Sequence, residues 1–142
     1  MPKEFNGRMR IVITPSASDR IIVDSSGWIE YLGGGQKADE FGAYLESQAV
    51  LFLPSIVVYE VHKKLYREAG KTPADRFVSK AFEYGERVIP LSLKLSISAS
   101  ITSLEQRLSM ADAIIYVTAS QVGAQLITSD SHFENMPGVT IL

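Results

Sequence analysis

Four carboxylates stand at the edges of apolar segments. Asp24 follows Ile21-Ile22-Val23, Glu60 follows Ile56-Val57-Val58-Tyr59, Asp112 interrupts Met110-Ala111 and Ala113-Ile114-Ile115, and Asp130 follows Leu126-Ile127-Thr128-Ser129. A charge beside a core segment costs desolvation free energy, so a fold that gathers several gains something in return. Clustered carboxylates repel, and the repulsion raises their pKa values unless a cation is present. Oxygen-only donors, with water completing the shell, suit Mg²⁺ or Mn²⁺ far better than Zn²⁺. Such an ion activates water and stabilises charge on a phosphoryl oxygen, so the reaction class these acids fit is phosphodiester hydrolysis.

Each acid also has an ordinary structural reading. Asp112 and Ser109 form an S-x-x-D capping box, Asp24 and Asp130 can cap the helices they precede, and Glu60 can pair with Lys63 or Lys64 one turn on. Capping gives no reason for all four to share one edge of a fold. Ser26 and Thr128 each lie two residues from an acid and can orient a carboxylate or a bound water, while serving equally well as caps or strand ends. His62 projects away from Glu60 on a helix; His132 stays near Asp130 and is the better placed of the two to touch substrate or assist proton transfer, although both read first as surface or packing residues. Trp28 and Tyr31 read as core or interface. The H-E-x-x-H, P-loop, G-x-G-x-x-G and G-x-S-x-G patterns are absent.

The elements that must hold these residues alternate. Ile21 to Val23 predicts a buried strand, Ser26 to Leu32 and Ala38 to Ser47 helices, and Val50 to Leu53 a second strand. A helix follows to about Ala69, with Ser55 as N-cap and Val57, Val61 and Leu65 inward; Gly70 ends it. Thr72-Pro73 opens another helix to about Tyr84, with Phe77, Val78, Ala81 and Phe82 inward. Val88-Ile89 predicts a strand, Ser92 to Gln106 and Ser109 to Val122 two helices, the second capped by Gly123, then Ala124 to Thr128 and Val139 to Leu142 two strands around a short turn at Ser131 to Asn135. This alternation implies an α/β fold, a parallel sheet of about five strands with helices on both faces. In such sheets ligands bind beyond the carboxyl ends of the strands, where Asp24 and Asp130 fall.

With 142 residues and 46% hydrophobic content, the chain fits one domain with one core. Residues 1–20 are expected to form an extension, flexible or not native, with a short strand over Arg10 to Thr14, and residues 21–142 the domain. The absence of Cys removes disulfides, thiolate zinc sites and cysteine nucleophiles, and is compatible with a reducing cytoplasm. No apolar run is long enough for a membrane span or a secretory signal, so a soluble, unexported protein is expected. The net charge is −2, but Val61 to Lys94 carries eight Lys or Arg against four Asp or Glu, and the acidic excess lies in the segments with the four acids. The basic segment can hold phosphates, with Lys63, Lys64 and Arg67 the candidates for contacting a phosphate backbone, or it is simply a solvated helix surface.

I-V-D-S-S at Ile22 to Ser26, the helix carrying Glu60, A-D-A-I-I at Ala111 to Ile115 and L-I-T-S-D-S-H-F at Leu126 to Phe133 resemble, in order, the four acidic motifs of the PIN-domain nucleases, especially VapC-type toxins. No single motif is specific; the ordered set is. The resemblance implies a Mg²⁺- or Mn²⁺-dependent endoribonuclease, with Asp24 and Asp112 as principal metal ligands, Glu60 completing the cluster directly or through water, and Asp130 as the fourth acid. It makes Thr128 and Ser26 the supporting hydroxyls. It also implies a homodimer silenced by a small antitoxin whose C-terminal segment puts an Arg into the acidic pocket, a guanidinium fork standing in for the metal's charge. The roughly 20 residues before the first acid depart from the family pattern.

The expected reaction is hydrolysis of RNA by metal-activated water in line with the departing 3′ oxygen. Two rivals stand beside it. One is a non-catalytic RNA-binding module that keeps the pocket; the other is a phosphatase or receiver-type domain with Asp24 as phosphoacceptor, although Ser26 stands where such phosphatases need a second aspartate.

Overall fold

The computed structural model describes residues 15–142, and residues 3–5 and 8–10 as backbone strands. β1 (Lys3–Phe5) and β2 (Arg8–Arg10) pair antiparallel in a small sheet of their own. The expected strand over Arg10 to Thr14 meets β2 only at Arg10, and residues 11–14 lie outside the described residues.

The main sheet begins with β3 (Arg20–Val23), whose Ile21, Ile22 and Val23 are all buried. A continuous β-branched run is what a central strand requires, since both its faces meet helices. Next come α1 (Ser25–Gly33), α2 (Ala38–Leu45), β4 (Val50–Pro54), α3 (Ser55–Ala69), α4 (Lys71–Glu83) and β5 (Val88–Ile89). The chain closes with α5 (Leu93–Gln106), α6 (Met110–Val122), β6 (Gln125–Thr128) and β7 (Val139–Ile141). The strands lie in the order β5-β4-β3-β6-β7, all parallel.

From β3 the chain moves outward through β4 to β5, then returns past β3 to β6 and β7. Crossovers therefore leave the central pair in opposite directions, and helices cover both faces. β3 and β6 flank the point where the direction reverses, the place where a parallel sheet opens a crevice at its carboxyl end. That crevice is where Asp24 and Asp130 emerge.

Packing fixes α1 tightly against this edge. Trp28, 2% exposed, meets Phe77 and Tyr84 edge-to-face at centroid distances of 5.6 and 6.1 Å, pinning α1 to α4. Gly27 has no room for a side chain: an added Cβ would lie 2.5 Å from Val23 Cγ1 and 2.6 Å from Phe41 Cε1. At the far end of α6, Gly123 adopts φ 66° and closes the helix in the left-handed conformation, as its position predicts.

Two local expectations are corrected. Pro54 rather than Ser55 occupies the N-cap of α3, and no side chain caps that end, because β4 runs straight into the helix and leaves Ser55 already helical. Phe82 is 81% exposed, since α4 turns Ala74, Phe77 and Ala81 inward and position 82 falls off that stripe. Leu65 and Val78 are half-buried at its margins.

Candidate active site

Asp24 is the N-cap of α1, and its backbone N–H donates to Ile127 O at 3.1 Å, stitching the end of β3 to β6. Its carboxylate is 3% exposed and fully engaged. Oδ1 accepts from Gly27 N and Ser26 Oγ, both at 2.9 Å; Oδ2 accepts from Thr128 Oγ1 at 2.6 Å and Ser26 Oγ at 3.0 Å. Burial pushes the pKa of Asp24 up, opposed by the hydrogen bonds from Thr128, Gly27 and Ser26, while Asp112 nearby pushes it further up. Thr128 is itself buried and accepts from Asp130 N at 3.0 Å, so one hydroxyl ties the first acid to the loop carrying the fourth. Ser26 and Thr128 thus hold the acid on which the sequence placed them.

Asp112 lies in the first turn of α6, where Ser109 Oγ accepts its N–H at 3.3 Å. Burial raises its pKa, the charge of Asp130 raises it further, and the Ser109 hydroxyl and His132 pull it down. Asp130 caps the short 3₁₀ turn Ser131–Phe133, with Oδ1 accepting from His132 N at 2.9 Å and lying 3.0 Å from His132 Nδ1. Donor atoms of Asp112, Asp130 and His132 fall within 4.8 Å of one another. The capping roles are therefore real, and they coexist with clustering: three acids are brought together because each sits at the positive end of a helical turn.

Glu60 stands apart from this group. It is half-buried on α3, and its Oε1 accepts from Ser25 Oγ at 2.8 Å, so it joins the crevice through the residue next to Asp24. The expected pairing with Lys63 or Lys64 is replaced by this bond. Ser25 joins the site beside Ser26, and the doubled serine after Asp24 is its signal in the sequence. Beyond Ser25 a cleft of about 430 Å³ runs along α3, lined by Tyr59, Glu60, Lys63, Lys64 and Arg67 on one side and Ile29 on the other. Lys63 Nζ lies 5.5 Å from the centre of the Tyr59 ring. His62 lies elsewhere on α3, 6.0 Å from Tyr66.

The donor set fits a hard divalent cation. Asp112 and Asp130 offer carboxylate oxygens to one point, and Asp24, whose oxygens are each hydrogen-bonded within the protein, lies beside Asp112. Among the described residues, His132 is the single nitrogen donor in reach, and its side chain is 74% exposed.

A parallel α/β sandwich with an acidic, hydroxyl-braced crevice at the switch point of its sheet defines a class of proteins that handle charged ligands there. The PIN domain family model matches residues 21–139, and the chain belongs to that family. No curated protein is recognisably similar in sequence. Among solved structures, a toxin-antitoxin complex from Klebsiella pneumoniae superposes with TM-score 0.69 at 21% identity, covering 84% of this chain and 95% of that one. VapC20 of Mycobacterium tuberculosis, a Sarcin-Ricin loop cleaving toxin, gives TM-score 0.62 at 22% identity over 74% and 85% of the two chains. VapBC2 from Rickettsia felis, bound to a fragment of promoter DNA, gives 0.58 at 18% identity over 87% and 97%. At these identities the likeness is one of fold.

Proposed function

We propose that the chain is a divalent-cation-dependent endoribonuclease and the toxin of a toxin-antitoxin pair, acting in the cytoplasm. The observation that carries this reading is the buried carboxylate of Asp24, held by two hydroxyls and a backbone N–H beside Asp112 and Asp130 at the switch point of a PIN-domain sheet. In support, the similar structures include a toxin-antitoxin complex and an RNA-loop-cleaving toxin. The nuclease unit is residues 21–142, with residues 1–20 an extension.

In this reading Asp24, Asp112 and Asp130 would hold Mg²⁺ or Mn²⁺, with Glu60 supporting from the α3 side through Ser25. The ion supplies charge stabilisation at the phosphoryl group and activation of the attacking water. The chain's own residues do the rest. Ser26 and Thr128 fix the Asp24 carboxylate in one orientation, which removes the need to reorganise it during reaction. Water would attack phosphorus in line with the 3′ oxygen and give up a proton to solvent, while the 3′ oxygen would leave with a proton from solvent or His132. Lys63, Lys64 and Arg67, lining the cleft next to the acids, bind the RNA backbone. A homodimer and a small antitoxin complete the assembly, the antitoxin placing a guanidinium against the acids in place of the ion.

A phosphoacceptor role for Asp24 fits poorly, because Ser26 stands where such phosphatases need a second aspartate and its hydroxyl donates to the Asp24 carboxylate instead. Purified protein freed of partners, incubated with end-labelled RNA and Mn²⁺ or Mg²⁺, should cut; Asp24→Asn and Asp112→Asn should not. RNA binding that is strongly salt-dependent but never leads to cleavage would replace the enzyme with a binding module.

A further inference from the structure

His132 is the residue of the crevice whose presence the acids do not explain. It is the middle residue of the turn Ser131–Phe133, which is held at both ends: Asp130 caps it, and Phe133 is fully buried with its ring 6.4 Å from that of Tyr116 on α6. Phe133 N donates to Asp130 O at 3.3 Å and Glu134 N to Ser131 O at 3.0 Å, so the backbone on either side of His132 is tied down. Thr128 extends the brace, since its Oγ1 accepts from Asp130 N and donates to Asp24. The imidazole is thus presented beside Asp130 by a fixed turn, although its side chain is 74% exposed.

The cap does not need that ring. It is the backbone N–H of His132 that donates to Asp130 Oδ1 at 2.9 Å, and any residue but proline supplies the same bond. The ring adds Nδ1, 3.0 Å from Asp130 Oδ1, and the donor atoms of His132, Asp130 and Asp112 all fall within 4.8 Å of one another. With bonds of about 2.1 Å to an octahedral ion, neighbouring ligands lie about 3 Å apart and opposite ligands about 4.2 Å. The observed donors meet the first spacing and approach the second. A simple pair of His132 with Asp130 would leave unexplained why Asp112, carried by α6, shares the same point.

A nitrogen in the set changes which ion it suits. Mg²⁺ keeps oxygen ligands and several of its own waters, whereas imidazole is a ligand of first-row transition ions, whose affinity for mixed nitrogen and oxygen sites rises from Mn²⁺ to Co²⁺. We propose that His132 is a nitrogen ligand of the cation site formed with Asp112 and Asp130, and that it tunes this site to Mn²⁺ or Co²⁺ over Mg²⁺. The proposal rests on the cation site put forward above and not on RNA being the substrate. An imidazole held by the ion is a poor proton donor, so the 3′ oxygen would then leave with a proton from solvent.

The chain has two histidines, so a nitrogen ligand can be assigned by elimination. Untagged full-length protein, stripped with EDTA and reloaded with Mn²⁺ in the absence of RNA, is measured by pulsed electron paramagnetic resonance. The spectrum should show coupling to a directly bound imidazole nitrogen, which should persist in His62→Ala and vanish in His132→Ala. Titration of the free Mn²⁺ signal, with Mg²⁺ as competitor, should show the wild type preferring Mn²⁺ by at least about tenfold. His132→Ala should lose most of that preference by binding Mn²⁺ about tenfold more weakly, with Mg²⁺ binding changed by less than about twofold. Bound Mn²⁺ without nitrogen coupling, coupling that disappears in His62→Ala instead, or a preference unchanged in His132→Ala would overturn the proposal while leaving the acids their cation. Failure of the wild type to bind Mn²⁺ at all would overturn the cation site itself and this ligand with it. If His132→Ala does not fold, His62→Ala alone decides, because any imidazole coupling it retains belongs to His132.

Discussion

The carboxyl-end crevice and the outer face of α5 break the same rule in opposite directions. At the crevice, charge is taken inside: Asp24 is 3% exposed with all its contacts polar. On α5, apolar side chains are left outside, Leu104 at 84%. Both arrangements cost stability in the isolated chain. For the crevice, the proposed reading supplies a cation. The distinction lies in rigidity: the acids are over-determined by backbone caps and hydroxyls, whereas these α5 side chains stand in solvent.

Removing the acids should have the largest effect. Asp24→Asn and Asp112→Asn are each expected to lower cleavage by roughly 10²–10³-fold, the scale for losing one preorganised electrostatic group, with dimerisation unchanged. Gel assays of RNA cleavage beside sedimentation of the same samples check both halves of that contrast.

Thr128→Val keeps the shape of the side chain but strips Asp24 Oδ2 of its closest donor and Asp130 N of its acceptor. Asp24 Oδ2 keeps Ser26 as a donor, so Asp130 N is the group left unpaired, and denaturant unfolding should show a loss on the order of 1–3 kcal/mol together with weaker cleavage. Gly27→Ala should destabilise by about 1–3 kcal/mol, because the added methyl overlaps Val23 and Phe41 where α1 meets the sheet.

The charge at the crevice has a definite pH signature. Asp24 and Asp112 have folded-state pKa values above 3.8, so the native state binds more protons than the unfolded one just above that pH. Without divalent cation, stability should fall as pH rises from about 4 through the folded-state pKa values, then level off. Asp112→Asn, which removes one of the repelling charges, should raise the cation-free melting temperature by roughly 2–4 °C at neutral pH and shrink the rise that Mg²⁺ produces in the wild type. Thermal scans with EDTA and with Mg²⁺ measure both. The smallest effect belongs to the cleft on α3. Replacing Lys63, Lys64 or Arg67 by Ala should each reduce the slope of log K against log salt for RNA binding by about 0.7, at little cost in the catalytic step.

The sequence made the crevice easier to read than the α5 face, and the reason is physical. Asp24, Asp112 and Asp130 occupy positions where an acid beside β-branched or helical core stands out by type alone, and the strand-helix alternation already implied that they emerge at one edge. Glu60 was less legible because a mid-helix glutamate near lysines looks like an exposed ion pair; only its bond to Ser25 shows which way it turns. Phe82 misled because helical spacing admits two neighbouring stripes, and packing against Trp28 selected the one through Phe77. The α5 stripe lay hidden for a related reason. Helical spacing alone leaves open which of its apolar residues face inward, and in the fold Leu95 and Ala99 take the inner side.

The most direct test of the crevice is cleavage of end-labelled RNA by partner-free wild-type protein, Asp24→Asn and Asp112→Asn, each with Mn²⁺ and with EDTA. The expected result is strand scission by the wild type with Mn²⁺ alone, and none above background by either variant. Scission that persists in EDTA, or that survives both substitutions, would contradict a cation site built on Asp24 and Asp112.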